Sequence, residues 1–213
     1  MANVKGRGVK VEISATFGTP KTVTSLTQAS PGVATSAAHG LVNDTVGFWS
    51  AISGMAQLEG QATRVKNTAT NTFELQGLNT TNYSAFNGGT FTPVLTWQTL
   101  AEATSYDIGG GASEKLDVTR LIDITKQEES GLLPVASCSM NVIAQDTPTL
   151  AALLLEAAVQ SQTAVIVRIT LGNGAVRILR GEPSLPGESV QQGAIGSGSL
   201  DFAVKGFVLK LAA

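Results

Sequence analysis

The stretch GGGASEKLDVTRLIDITKQEESGLLP, Gly109 to Pro134, decides how the chain is read. Glycines open it, and Gly131 to Pro134 closes it. Between them Leu116, Val118, Ile122 and Ile124 alternate with Asp117, Thr119, Asp123 and Thr125. A period of two predicts a strand with one apolar face and one face of acidic and hydroxyl side chains. Seven carboxylates lie between residues 102 and 130: Glu102, Asp107, Glu114, Asp117, Asp123, Glu128 and Glu129. Only Lys115, Arg120 and Lys126 oppose them, so this stretch carries −4 in a chain whose net charge is −2. No nucleophile, base or metal-ligand set accompanies those carboxylates, and the segment reads as a charged contact surface.

The surrounding composition agrees. With 213 residues, 43% of them hydrophobic, the chain can bury a large core as one domain or as a domain with a smaller insert. Only 14% of residues are charged, well below the usual share of about a quarter. An exterior so poor in charge and rich in Thr, Ser, Asn and Gly is expected to meet other protein. The balance is not basic, which argues against stable binding to nucleic acid through phosphate neutralisation. The start MANVKGRGVKVEI has basic residues with no apolar region after them, so no signal peptide is expected. The apolar run Leu150 to Val159 contains Glu156 and is too short to span a bilayer, and no membrane binding is expected. The three sequons at Asn43, Asn79 and Asn82 read as by-products of a Thr/Asn-rich composition.

Outward from the acidic segment, Val9, Val11, Ile13 and Ala15 predict an opening strand. From Lys21 to Pro93, Thr, Ser, Asn and Gly dominate. Short strands are expected at Thr22 to Thr27, Thr45 to Trp49, Ala62 to Asn67 and Thr72 to Gln76. Val94 to Asp107 and Val135 to Ile143 predict longer strands. One helix follows, capped by Asp146 or Thr147, with Leu150, Leu153, Leu154, Ala157 and Ala158 as its apolar stripe. Ala164 to Leu171 and Ala175 to Gly181 flank Gly172-Asn173-Gly174, a hairpin signal. Leu200 to Leu211 predicts a final strand, apolar on both faces and therefore covered on both. The expected fold is mainly β: an antiparallel sandwich or barrel with one packed helix. Residues 1–20 and 94–213 would form the core domain and residues 21–93 an inserted β-module.

The sequence indicates no catalytic chemistry. His39 is the one histidine, with no second imidazole and no Ser or Cys elbow, and reads as a turn or packing residue. Cys138 lies in an alternating strand and reads as a small core residue; being alone, it permits no intrachain disulfide. Gly193, Gly196 and Gly198 precede a strand, where a phosphate loop needs a helix N-terminus. Asp117 and Asp123 lack a calcium-loop pattern around them. Neither an enzyme nor a cofactor is expected.

The run YDIGGGASEKLDVTRLID, Tyr106 to Asp123, continuing to Gly131-Leu-Leu-Pro, resembles the D-V-T-x-L region of major tail tube proteins of long, non-contractile-tailed bacteriophages. The block 21–93 is similar to a β-module of many phage tail proteins, related to a small domain first named from ubiquitin-activating enzymes. Ala37-Ala-His-Gly-Leu41, Gly54-Met55, Leu58-Glu-Gly60, Asn71-Thr-Phe-Glu-Leu75 and Gly88-Gly89 carry that likeness. It implies no ubiquitin chemistry, because the block has no cysteine. The resemblance implies a structural virion protein, assembled in the host cytoplasm into hexameric rings that stack into a tail tube. Its implied partners are a tape-measure protein in the lumen, tail-tip and terminator proteins, and double-stranded DNA that passes without specific binding. The insert would project outward.

Residues 1–24 hold Lys5, Arg7, Lys10 and Lys21 against Glu12, a balance of +3. Contact between this basic start (Lys5, Arg7, Lys10) and the acidic segment (Glu114, Asp117, Asp123, Glu128, Glu129) of another subunit is therefore expected. The glycine hinge is expected to keep the segment mobile until a neighbour arrives. Competing readings are an all-β carbohydrate-binding protein or adhesin, with Phe48, Trp49, Phe73, Tyr83 and Phe86 as its aromatics, and the tube of a contractile or bacteriocin machine.

Overall fold

A computed structural model describes residues 8–110, 113–131, 136–145, 147–184 and 187–213. In chain order the strands are β1 (Lys10–Phe17), β2 (Lys21–Val23), β3 (Ser25–Leu26), β4 (Val33–Thr35), β5 (Val46–Ser53), β6 (Ala62–Lys66), β7 (Thr72–Leu75) and β8 (Gly88–Thr99). They continue as β9 (Ala103–Gly109), β10 (Lys115–Asp117), β11 (Glu128–Ser130), β12 (Ser137–Ile143), β13 (Val165–Thr170), β14 (Val176–Pro183), β15 (Gly187–Ser189), β16 (Ser197–Val204) and β17 (Leu209–Leu211), with α1 (Leu150–Gln160) after β12. The fold is mainly β with one helix, as expected. Fifteen strands join in one antiparallel sheet, ordered β3-β4-β7-β6-β5-β8-β1-β13-β14-β16-β12-β9, with β2, β15 and β17 attached at its sides. Among the described residues, β10 and β11 pair only with each other.

Three apolar clusters hold this sheet. Val11, Ile13, Val167, Ile169, Leu179 and Phe202 pack beneath α1, which contributes Ala151, Leu155 and Ala158. Trp49, Met55, Phe73 and Phe91 centre a second cluster confined largely to residues 23–91. Its rings meet at 5.4–6.3 Å between centroids, and Trp49 Nε1 donates to Thr63 Oγ1 at 3.0 Å. A third cluster joins Val46 and Ala62 to Ile166, Ile178, Leu209 and Leu211. β8 runs through position 93, pairing β2 and β5 with its first half and β1 with its second. The same seam is fastened by Gln61, whose Oε1 accepts from Phe207 N at 2.9 Å and whose Nε2 donates to Phe207 O at 3.0 Å.

Several expected elements are corrected. The alternation from Leu116 to Thr125 does not make one strand: only Lys115–Asp117 is extended, and residues 118–127 form the loop that leads into β11. Asp117 and Asp123 drive that reversal, because each accepts backbone N–H groups from its own turn. The strand expected from Val94 to Asp107 is two, β8 and β9, broken at Leu100–Glu102. The final strand is likewise two. Lys205 and Gly206 interrupt it, so Leu200, Phe202 and Val204 face the helix-side cluster while Leu209 and Leu211 face the third. That break is why the stretch reads as apolar on both faces.

The helix starts later than expected: Thr149 is its N-cap, accepting from Ala152 N at 3.3 Å. Its buried face is Ala151, Leu155 and Ala158, while Leu150 and Leu153 are exposed. Two of the alternate polar residues of β1, Glu12 and Ser14, are buried, while Lys10 is exposed. Glu12 is buried and bonds Arg168 at 2.7 Å and Lys10 at 2.7 Å, and Ser14 accepts from Ile166 N. The Asn173 turn between β13 and β14 is as expected, with Asn173 Oδ1 accepting from Ala175 N.

Candidate assembly surface

The β10–β11 hairpin is an arm standing apart from the main sheet. Its register is Lys115 with Ser130, Leu116 with Glu129 and Asp117 with Glu128. Gly131 N bonds Glu114 O below the hairpin, and Val118 N bonds Gln127 O at the base of its loop. Gln127 N donates to Thr119 Oγ1 at 3.0 Å, and Asp123 N donates to Arg120 O at 2.9 Å. The loop is thus internally bonded.

Its charges are largely satisfied from within. Lys115 Nζ lies 2.9 Å from Glu128, and Lys126 Nζ lies 3.1 Å from Glu128 and 3.7 Å from Asp117. Lys115 and Lys126 hold the Glu128 carboxyl below its ordinary value, and the Thr119 hydroxyl and N–H do the same for Asp117. Such solvated pairs contribute little to stability. The apolar residues of the arm have no such partners. Leu121 is 110% exposed, Ile124 102% and Ile122 85%, with Leu116 and Val118 also exposed. Fully solvated Leu and Ile clustered on one projection mark a surface that binds protein.

The expected site residues are therefore placed unevenly. Glu114, Asp117, Asp123, Glu128 and Glu129 share the arm. Lys10 is at the start of β1, already paired with Glu12, and Lys5 and Arg7 lie outside the described residues, as does Gly111 of the glycine hinge. Glu102 and Asp107, counted in the same acidic run, are off the arm. Asp107 lies on β9, which ends the sheet order. Glu102 is buried in the turn between β8 and β9, a placement that charge counting missed.

Other candidates are structural. His39 is buried against the edge of Phe73, its Nδ1 accepting from Leu41 N and its Nε2 bonded to Thr72 O. Burial, with Asp107 and Asp201 nearby, pushes the Cys138 thiol up to about 12, so it is not a nucleophile. Among the described residues no group of three or more His, Cys, Asp or Glu is placed to hold a metal. No helix among them is long and apolar enough to cross a membrane. Of the aromatics expected in a sugar-binding site, Trp49 and Phe73 are buried in a core, and Phe48, Tyr83 and Phe86 are half-buried against the apolar clusters. A family model described as phage tail tube protein, TTP, matches residues 53–203, well over half of the chain. No curated protein matches it.

Proposed function

Because the chain belongs to the phage tail tube protein family, whose members are structural virion components that assemble into a tube, we propose that it forms hexameric rings that stack into the tail tube. The tube assembles in the host cytoplasm around a tape-measure protein, is finished by tail-tip and terminator proteins, and later conducts double-stranded DNA. The observation that carries this reading is the solvated apolar arm. Burying a Leu or Ile side chain is worth about 1.5–3 kcal/mol, so Leu121, Ile122 and Ile124 strongly favour a covered state. The outer edge of β9 adds main-chain N–H and C=O groups that another copy can pair, which is how closed barrels remove edges.

In this assembly, residues 1–20 and 94–213 are the ring-forming core and residues 21–93 an outward insert with its own aromatic core. A near-neutral or acidic channel wall lets DNA slide, where a basic one would hold it. The acidic arm meets the basic N-terminal stretch, Lys5, Arg7 and Lys10, of a neighbour. Electron microscopy and native mass spectrometry of the concentrated protein test the ring and the tube: sixfold rings and tubes are expected, and a persistent monomer contradicts them. Glu114→Lys with Glu129→Lys, exposed positions that leave the Asp117 and Asp123 turns in place, is expected to stop tube growth with the fold intact; normal tubes from that variant remove the acidic–basic contact. A label on Asn82→Cys, in the exposed loop of the insert, is expected on the outer wall of the tube, and a label found only in the lumen reverses the placement.

A further inference from the structure

Glu102 is 8% exposed, and neither of its carboxylate oxygens has a hydrogen-bond partner among the described residues. A buried carboxylate without a partner is unfavourable and retains a strong demand for a cation. Glu102 lines a cleft of about 210 Å3 between the start of α1 and the strands β12 and β16. Leu100, Ile143, Ala152, Leu155 and Leu200 supply its apolar wall. Glu156 and Glu188 line it too, and no Lys or Arg does among the described residues. An adjoining depression shares Val142 and Ile143 and adds Ile195, which is 78% exposed. The cleft thus asks for one cation carried on an apolar segment.

The arm carries such a segment. Lys115 and Lys126 are held by Glu128 and Asp117, whereas the exposed Arg120 makes no ion pair among the described residues. Leu121 and Ile122 follow it directly, both almost fully solvated. We infer that the Glu102 cleft is the receptor for the arm tip of a second copy of this chain, with the Arg120 guanidinium on the Glu102 carboxylate and Leu121 and Ile122 against Ile143 and Ile195. A guanidinium suits this place better than an ammonium group, being more weakly hydrated and able to bond both carboxylate oxygens at once. The inference rests on the tube-forming reading above and specifies which surface of the neighbour the arm occupies.

The test joins Leu121→Cys, beside the guanidinium, with Gln145→Cys, an exposed residue on the cleft wall. Native Cys138 is buried with its thiol pushed up to about 12 and stays silent under mild oxidation. Oxidised tubes of this variant are expected to give a covalent ladder of dimers and higher species on a non-reducing gel, and dilute monomer none. Tubes that form normally but run as monomer overturn the docking while leaving the tube intact. A wild-type chain that makes no tubes at any concentration overturns both.

A second arm uses Arg120→Gln and Glu102→Gln, which keep shape and remove charge. Each is expected to raise the critical concentration for assembly about tenfold. The double variant should be no worse than either single one, because both remove the same pair. The Glu102→Gln monomer should melt no lower than wild type, since it loses only an unpaired buried charge. Additive losses in the double variant, or an unchanged critical concentration in both singles, overturn the pairing.

Discussion

Two hairpins in this chain arise from similar alternation and end in opposite surroundings. β13–β14 pairs six residues with six, from Val165 with Gly181 to Thr170 with Val176, and buries Ile166, Val167, Ile169, Ile178 and Leu179. β10–β11 pairs three with three and leaves every one of those residues exposed. The first hairpin sits between β1 and β16 and closes two clusters of the chain's own core. The second carries Leu116 in its strands and Val118, Leu121, Ile122 and Ile124 in its loop, all exposed among the described residues. Alternation therefore identifies what needs covering and leaves open whether the cover is the same molecule.

The sharpest way to break the contrast is to empty the first hairpin. Ile178→Ala should cost about 2–5 kcal/mol in urea unfolding, as expected for a fully buried side chain; a loss below about 1 kcal/mol would mean the third cluster is not packed. Gly206→Ala comes next, at about 1–3 kcal/mol. Gly206 has φ of +81°, and an added methyl would strike Gln61 Oε1, which bonds Phe207 N. Thermal melts that match wild type would show that the seam tolerates the change.

Acid should act on the core side of the contrast as well. Burial raises the Glu12 carboxyl, but the bonds from Lys10 and Arg168 outweigh it and the net shift is downward from 4.5. A depressed carboxyl contributes stability that is present above the unfolded value and lost as pH falls through the folded one. Wild type should therefore lose stability below about pH 4.5 more steeply than Glu12→Gln; equal slopes in acid titrations of the melting temperature remove the role of that pair. The smallest effect on the monomer belongs to the arm. Leu121→Ser, Ile122→Ser and Ile124→Ser together should leave monomer stability within about 0.5 kcal/mol, as for surface sites.

Much of this arrangement was legible before any coordinates. Ala164 to Gly181 reads correctly because a strong Asn173 turn separates two apolar runs that both find partners in the chain, although β14 runs on to Pro183. The acidic segment stands out by its charge, but its alternation overstates its length in strand. Period two cannot reveal that Asp117 and Asp123 close turns with their own side chains. The helix illustrates the converse: Leu150 and Leu153 look like core, yet the smaller Ala151 and Ala158 face the sheet because the helix lies close to it. Glu102 was counted as one of seven similar charges. Its apolar neighbours Leu100 and Ala103 are the local sign that its side chain turns inward, although Ala101 between them is exposed.

The central claim is that the exposed arm is an assembly surface. It is tested most directly by negative-stain micrographs of concentrated wild-type protein beside the Leu121→Ser, Ile122→Ser, Ile124→Ser variant, with melting curves of both monomers. The account predicts tubes from wild type, no tubes from the variant, and superimposable melts. Tubes of normal length from the variant would contradict it.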